Sequence, residues 1–288
     1  MKSLLDEANV NVMPQCVKPS RAQVATFWNF ARCDYIAAYI SHTSTRLDTE
    51  DISLWRSAGL VIDERGIIVP GKAGYSTYIR GENDMREDMT ANALVFILSK
   101  IMNFLSPTSS LAKNNPNRWK TLHREVEAWF ESLPESFTEC WRLEVDLKSA
   151  DASRANFAEV FYSIPLCSVT MQHYHFAQII LLLHMPRETS ASVMDQLRSY
   201  RAVPEKIAYH SREICAIALG RPPAHVRIHM LQPIFLAGQC LEGLQERKVI
   251  LELLRNIETD LGWATEYRVQ ELLKEWGWES NRDRKSVV

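Results

Sequence analysis

The sequence predicts an all-α protein, an irregular bundle of about nine helices. Two observations favour this fold class. The chain has only 10 glycines among 288 residues, against an average usage of roughly 7%, and a many-stranded protein needs more tight turns than that. Apolar residues also recur at spacings of three and four along most of the chain, which is the period of one helix face. No repeat of fixed length is visible, so a bundle is favoured over a solenoid.

Four segments in the first half of the chain have helical periodicity. Ser20 is placed to cap the first, and Ser106-Pro107 stops the third. Residues 61–83 are rich in glycine and are predicted as a loop with room for a short hairpin. The four predicted helical segments are Val24 to Ala38, Leu47 to Leu60, Met85 to Leu105 and Trp119 to Phe130.

The second half contains a segment, Phe157 to Met185, that is nearly all apolar or aromatic. Pro165 divides it into a short lead-in and a long helix, Leu166 to His184. A helix that is apolar on all sides belongs in the middle of a bundle. Residues 187–204 are predicted as a loop around a short helical turn. The later predicted helices are Pro204 to Leu219, ended by Gly220, then residues 226–244, Glu246 to Leu261, ended by Gly262, and Thr265 to Trp276.

This pattern predicts one helical domain over residues 21–278. An irregular segment precedes it at residues 1–20, and a charged tail follows at residues 279–288. The passage from Phe137 to Arg154 is the only candidate boundary inside the chain. At this length the chain is long enough for one large domain or two small ones.

The charge balance argues against strong DNA binding. The 33 basic and 35 acidic residues give a net charge of −2, so there is no basic surplus to displace counterions from a phosphate backbone. Apolar runs such as Ile179 to Leu183 are far shorter than the ~20 residues that span a bilayer. Residues 1–10 lack the apolar core of a secretory signal. We therefore expect no membrane partner and no direct, specific DNA binding.

The six cysteines do not form the close pairs of a structural zinc site. Several lie in apolar stretches, which is typical of buried, reduced thiols in a cytosolic or nuclear protein. The cysteines are Cys16, Cys33, Cys140, Cys167, Cys215 and Cys240. We expect no bound metal and no cofactor.

The histidines give only weak candidates for chemistry. His173 and His175 flank Tyr174, and a spacing of two puts their imidazoles about 200° apart on a helix. They therefore cannot share one metal ion, and packed or hydrogen-bonded residues are the favoured interpretation. His225 and His229 can share a helix face, but two ligands do not make a metal site.

The tryptophans near the C-terminus, in Gly262-Trp263 and Trp276-Gly277-Trp278, are interpreted as packing residues, with a ligand cage as the alternative. The sequence contains no nucleophile elbow and no glycine-rich phosphate or dinucleotide loop.

Several blocks of the sequence together carry a resemblance. They are Trp28–Asp34, Ala91–Ala93, Trp119–Leu122, Leu133–Phe137, Tyr174–Leu182, Arg212–Ala218, Gln232–Gly238, Leu253–Leu254, Gly262–Thr265 and Trp276–Trp278. Their order and spacing resemble the C-terminal regulatory domain of fungal zinc-cluster transcription factors, of the group common in secondary-metabolite gene clusters. The resemblance implies an all-α body and a nuclear regulator of RNA polymerase II genes; without it, the cytoplasm is the default location.

The DNA-reading module of that family holds two zinc ions with six cysteines, and this sequence departs from it. Cys16 and Cys33 are the only cysteines in the first 139 residues. We therefore expect a regulator without its own zinc cluster, to which no metal or DNA contact is carried over. Its expected partners are a full-length zinc-cluster factor or a second copy of itself, with a small-molecule effector as a further possibility.

The sequence is also compatible with two alternatives. The fold is also suited to a biosynthetic enzyme or a small-molecule-binding protein, because helical bundles readily enclose apolar pockets. In that case His173, Tyr174, His175 and Arg32 are the candidate polar residues. The other alternative is a gene whose first exon, encoding the zinc cluster, has been missed.

Overall fold

The computed structural model describes residues 19–69, 86–107, 115–144, 157–186 and 193–278. These residues are mostly helical, and the prediction of an all-α protein is confirmed. They belong to two compact units, Met1–Leu133 and Pro134–Val288. The expectation of one domain over residues 21–278 stays a prediction. The predicted N-terminal segment up to residue 18, the loop from residue 70 to 83 and the charged tail lie outside the described residues.

The described part of the first unit contains four helices, α1 to α4. Ser20 caps α1 as predicted: its hydroxyl accepts a hydrogen bond from the Gln23 backbone (3.3 Å), and its own N–H donates to the Gln23 side chain (2.8 Å). An isolated bridge joins Ile62 to Ile68 within the predicted loop. The helices are α1 (Arg21–Ser41), α2 (Ile52–Ser57), α3 (Arg86–Leu105) and α4 (Pro116–Glu131).

The prediction of a helix from Leu47 to Leu60 is wrong at its start. Before α2 the buried Asp34 carboxylate accepts hydrogen bonds from the backbone N–H groups of Arg46 (2.8 Å) and Leu47 (2.9 Å). Asp51 then accepts from the Leu54 N–H and caps the helix. Side chains that satisfy backbone groups in this way compete with helix formation.

Aromatic side chains from α1, α2 and α3 fill the core of the first unit. Trp55 is fully buried, and its ring centroid lies 5.3 Å from that of Phe27 and 4.7 Å from that of Phe96. Its indole N–H donates to the carbonyl of Asp48 (2.8 Å). Tryptophan suits such a position because a large apolar body is buried while its one polar group keeps a partner.

A buried ion pair fastens the loop after α2 to this core. Lys100 of α3 and Glu125 of α4 lie 2.5 Å apart, and their side chains are only 4% and 2% exposed. Lys100 also donates to the carbonyl of Gly66 (3.0 Å), and Glu125 accepts from the N–H of Ile68 (3.1 Å). Burial lowers the pKa of Lys100, and the attraction of Glu125 opposes that shift. The two charges therefore hold three segments of the chain together.

The second unit surrounds one long, buried helix. It begins with a 3-10 turn (Glu135–Phe137) and a two-stranded antiparallel sheet, in which Arg142 pairs with Val160. This sheet was not predicted from the sequence, because each strand has only three residues. The elements are β1 (Trp141–Leu143), β2 (Glu159–Phe161), α5 (Pro165–Leu183), α6 (Val193–Leu219), α7 (Ala224–Arg227), a 3-10 turn (Ile228–Met230), α8 (Leu231–Cys240), α9 (Leu244–Leu261) and α10 (Glu266–Glu275).

Helix α6 corrects two predictions, namely that residues 187–204 form a loop around a short helical turn and that a helix begins at Pro204. It begins at Val193 rather than at Pro204, and Pro204 lies inside it. A proline within a helix removes one backbone hydrogen bond and disfavours helical geometry in the preceding residue, so local rules predicted a break that the folded unit overrides. The single helix predicted over residues 226–244 is also interrupted, by the 3-10 turn before α8, and it ends at Cys240.

The end of α6 and the C-terminal helices match the sequence more closely. Helix α6 stops at Leu219, and Gly220 brings the chain against β2: a Cβ there would lie 1.9 Å from the Val160 carbonyl oxygen. Helix α9 ends at Gly262, whose φ of 68° is left-handed. Glycine adopts that conformation without the Cβ penalty.

The cysteines are free thiols in the described part of the chain, but their burial varies. Cys167 and Cys215 are buried, as predicted, whereas Cys33 and Cys140 are exposed. Burial raises the pKa of Cys240 to about 11, with a smaller opposing effect of Ser211.

Among the described residues, one helical stretch, Glu87–Leu105, is long and apolar enough to cross a bilayer. Of its apolar window, 78% is buried inside the protein, which is typical of a core helix.

The buried ion pair gives a test of the first unit. We expect Lys100→Met to lower the free energy of unfolding by about 3 kcal/mol, because it leaves the Glu125 charge buried without its partner. The double variant Lys100→Met/Glu125→Leu should recover most of that loss. Urea unfolding followed by circular dichroism measures both. Equal losses in the single and double variants would show that the pair itself is strongly stabilising.

Gly220 gives a test of the second unit. Gly220→Ala should lower the free energy of unfolding by about 1–3 kcal/mol, because the added methyl group collides with the Val160 carbonyl. Gly243→Ala is the matched control, since a Cβ there meets only the flexible Glu246 side chain. Calorimetric melting of the two variants makes the comparison, and similar melting temperatures would contradict the assigned role of Gly220.

Candidate functional site

Helix α5 carries three of the predicted site residues into the interior. Every residue from Cys167 to Leu182 on this helix is buried. His173, Tyr174 and His175 are 8%, 6% and 6% exposed. Because these side chains lie in the core, each polar atom among them needs a partner within the protein.

The two histidines of α5 have different partners. His173 donates from Nδ1 to the Val169 carbonyl of its own helix (2.7 Å) and packs edge-on to Phe176. His175 instead lies with its Nδ1 2.8 Å from Nδ1 of His210 on α6. One of these two nitrogens therefore carries a hydrogen and donates, while the other accepts.

The histidine pair is held uncharged. Burial, followed by the neighbouring His210 and Arg142, lowers the pKa of His175 well below its usual value. Burial, followed by the positive charge of Lys206, lowers the pKa of His210 to about 4. Since a second proton would place two positive charges side by side in a desolvated site, the pair stays neutral near pH 7.

Two tyrosines flank the pair. Tyr174 lies edge-on to His175 (centroids 5.2 Å apart) and accepts a hydrogen bond from Gln178 (3.1 Å). Tyr209 lies edge-on to His210 (5.1 Å) and is 54% exposed, so the cluster reaches the surface there. Tyr209 and His210 were not among the site residues predicted from the sequence. The signal was present, because the dipeptide Tyr-His occurs once on each of these two adjacent helices.

An arginine clamp lies close to the cluster. Arg142 of β1 binds the carboxylates of Glu139 and Glu213, each at 2.7 Å. Hydrogen bonds to Glu139 and then Glu213 raise the pKa of Arg142. Since Glu213 belongs to α6, the clamp ties the small sheet to the helix that carries His210.

Arg32, the fourth predicted candidate, belongs to the first unit. Its guanidinium donates to the side-chain carbonyl of Asn92 (2.6 Å). Burial lowers its pKa, against the opposing charges of Tyr35 and then Asp88. The contact joins α1 to α3 and brings together two of the sequence blocks that carry the family resemblance.

The remaining candidates do not form a cluster with ligand geometry. His225 and His229 are both exposed, on α7 and on the 3-10 turn after it. Within the described ranges, no group of three or more His, Cys, Asp or Glu side chains is placed to hold a metal ion. The face of Trp276 is covered by Arg247, whose guanidinium carbon lies 5.0 Å from the ring centroid. The aromatic pair near the C-terminus is thus occupied by a cation of the chain itself.

The sequence of this chain is related to that of a known fungal protein. Over 277 residues the chain is 38% identical to the transcription activator AMTR1 of Alternaria alternata, and the alignment covers 89% of this chain and 36% of that protein. This chain is a homologue of a fungal transcription activator. It spans about a third of that relative's length, and the fungal transcription-factor relationship inferred from the sequence is confirmed at that level. No protein-family model matches the sequence, and no solved structure matches it.

The histidine pair predicts how stability depends on pH. The folded pKa of His210 lies below the value of ~6.5 in an unfolded chain, so the unfolded state takes up the proton first. The contribution of His210 to the free energy of unfolding is therefore complete above pH 6.5, and it is lost as the pH falls toward 4. Between pH 7.5 and 5 we expect His210 to account for a loss of about 2 kcal/mol.

Urea unfolding across this pH range measures the loss. His210→Gln, which can still donate to His175, should flatten the dependence, and the exposed His225→Gln serves as the matched control. Parallel pH profiles for the wild type and His210→Gln would contradict the assignment. Carboxylates of the first unit such as Asp34 are common to all three proteins, so their titration cancels in the comparison.

Proposed function

We propose that this chain forms the helical regulatory part of a transcription regulator. The observation that carries the proposal is the 38% identity to a transcription activator across 89% of the chain. An alignment of that extent includes residues of both compact units. The proposed regulator works in the nucleus on genes that RNA polymerase II transcribes.

The proposed target is a fungal secondary-metabolite gene cluster. The support is the set of sequence blocks that resemble the regulatory domain of that group of factors. Pairs of these blocks are in contact: Arg32 with Asn92 in the first unit, and, in the second unit, Trp276 with the carbonyl of Gly238 and Thr265 with the carbonyl of Leu254. The residues that carry the resemblance therefore lie at or beside helix–helix contacts of the two cores.

We further propose that these helices influence transcription through a partner rather than by contacting DNA. The net charge of −2 supports this, because phosphate contacts dominate protein–DNA affinity. The proposed partner is a full-length zinc-cluster factor, which supplies the sequence-specific DNA contacts, or a second copy of this chain.

A second candidate function is small-molecule binding, with or without catalysis. A cleft of about 980 Å³ in the second unit favours it, because ligand sites generally occupy about 300–1,000 Å³. The histidine cluster supports catalysis less well, since the Nδ1 atoms of His175 and His210 are already hydrogen-bonded to each other.

A tethering experiment tests the regulatory proposal. Fused as the full 288-residue chain to a heterologous DNA-binding domain, the protein should raise transcription of a matched reporter several-fold above the domain alone in a filamentous fungus. A fluorescently tagged copy of the unfused chain should accumulate in the nucleus. An unchanged reporter together with exclusion from the nucleus would overturn the proposal.

The unfused chain is the control for the route to DNA. Assayed on promoter fragments at physiological salt, it should show no saturable, sequence-selective binding. Selective binding by the isolated chain would retain the regulatory role but reject the partner-mediated route.

A further inference from the structure

The cleft in the second unit lies where the small sheet, the end of α6 and α9 meet. Leu143 and Glu159 of the two strands form one side, and Glu252 and Asn256 of α9 form another. The close approach of Gly220 to Val160 holds β2 against α6, which fixes the position of the strands relative to the helix end. The cleft therefore has walls from three elements that the core keeps in place.

Apolar side chains form the floor of the cleft. Of the residues that line it, Phe157, Ala218, Met230, Ile234 and Ile257 are buried, and Leu253 is half-buried beside them. An apolar ligand part that covers such a floor is removed from water, which stabilises the complex in proportion to the area covered.

Among the described residues that line the cleft, the charged groups are mainly acidic. They are Glu144, Glu159, Glu252 and Asp260, against Arg221 and Arg227. Arg227 is engaged by Asp260, at 2.7 Å. Three carboxylates thus remain against the single Arg221, and no ion pair joins them to another described residue.

The end of α6 adds negative potential of a second kind. This 27-residue helix ends at Leu219, which lines the cleft together with Ala218. The carboxyl end of a helix carries a partial negative charge, and cations are stabilised beside it. An anionic ligand would meet both this dipole and the carboxylates, so the cleft discriminates by charge.

We propose that the cleft binds a small molecule that combines an apolar part with a positive charge, such as an aromatic or alkyl amine. The apolar part covers the floor, and the ammonium group lies among the carboxylates of Glu144, Glu159 and Glu252. This molecule would be the effector of the regulator, and its role as an effector rests on the proposed function. The binding test below does not involve transcription, so the failure of one is distinguishable from the failure of the other.

A pair of probes with matched shape and opposite charge tests the proposal. We expect 4-phenylbutylamine to bind the full chain at least about tenfold more tightly than 4-phenylbutyrate, because the charge term changes sign between them. Isothermal titration calorimetry at pH 7 measures both affinities. Added salt should weaken the binding of the amine and reduce the ratio between the two affinities, because salt screens the rim carboxylates.

Charge variants locate the binding. Glu159→Gln and Glu252→Gln should each lower the affinity for the amine about two- to fivefold, which is the range for partly exposed charge pairs. The matched control is Glu242→Gln, an exposed acid that does not line the cleft, and it should leave the affinity unchanged. Circular dichroism melting of each variant confirms that it is folded.

A steric pair of variants tests the same site without changing a carboxylate. Asn256→Trp places a large side chain at the cleft and should abolish binding of the amine. Lys248→Trp puts the same side chain at an exposed position of α9 that does not line the cleft, and it should bind normally. The proposal is overturned if the amine does not bind, if both probes bind equally, or if binding survives Asn256→Trp.

Discussion

The second unit depends on the burial of α5 on all sides. A helix with no solvent-facing stripe has to be covered by other elements around its whole circumference, and α6 and α8 provide much of that cover. Its polar side chains then have to find partners inside the protein, since an unpartnered buried polar group costs about 1–3 kcal/mol. Gln172 donates to the Ile214 carbonyl and His175 pairs with His210. These bonds fix both the axial position and the rotation of α6 against α5.

Buried polar groups in the first unit also need partners, and there they are charged. Lys100 and Glu125 lie in its core, where two ions are stabilised only if their remaining donors and acceptors are satisfied. Backbone groups of the loop that follows α2 complete them. In both units, then, polar atoms in the core specify which segments meet, while the surrounding aromatic and aliphatic side chains provide the bulk of the burial.

Features set by neighbouring residues were predictable from the sequence. The cap at Ser20, the stop at Gly262 and the buried helix after Pro165 each follow from a local pattern, and the structure confirms all three. Features set by distant residues were not. The helix through Pro204 is maintained by its tertiary surroundings, and the two short strands have too few residues to show alternation.

The candidate site also combines features that neighbouring residues predict with features that depend on distant residues. The burial of the α5 histidines followed from the apolar segment around them, but the partner of His175 lies 35 residues away. Spacing rules that compare residues on one helix cannot find such a pair. Nor can they find the cleft, because its walls come from a sheet, a helix end and a later helix, and its acidic character appears only when Glu159 and Glu252 are brought together.

The hydrogen bond between the two imidazoles at the α5–α6 contact is asymmetric, because one ring donates and the other accepts. A neutral imidazole carries one N–H, so the ring that donates from Nδ1 has a bare Nε2, and the ring that accepts at Nδ1 carries its hydrogen on Nε2. The outer nitrogens of His175 and His210 are therefore always of opposite character. Any group that hydrogen-bonds to one of them decides, through a coupled change of tautomer, what the other offers on the far side of the pair.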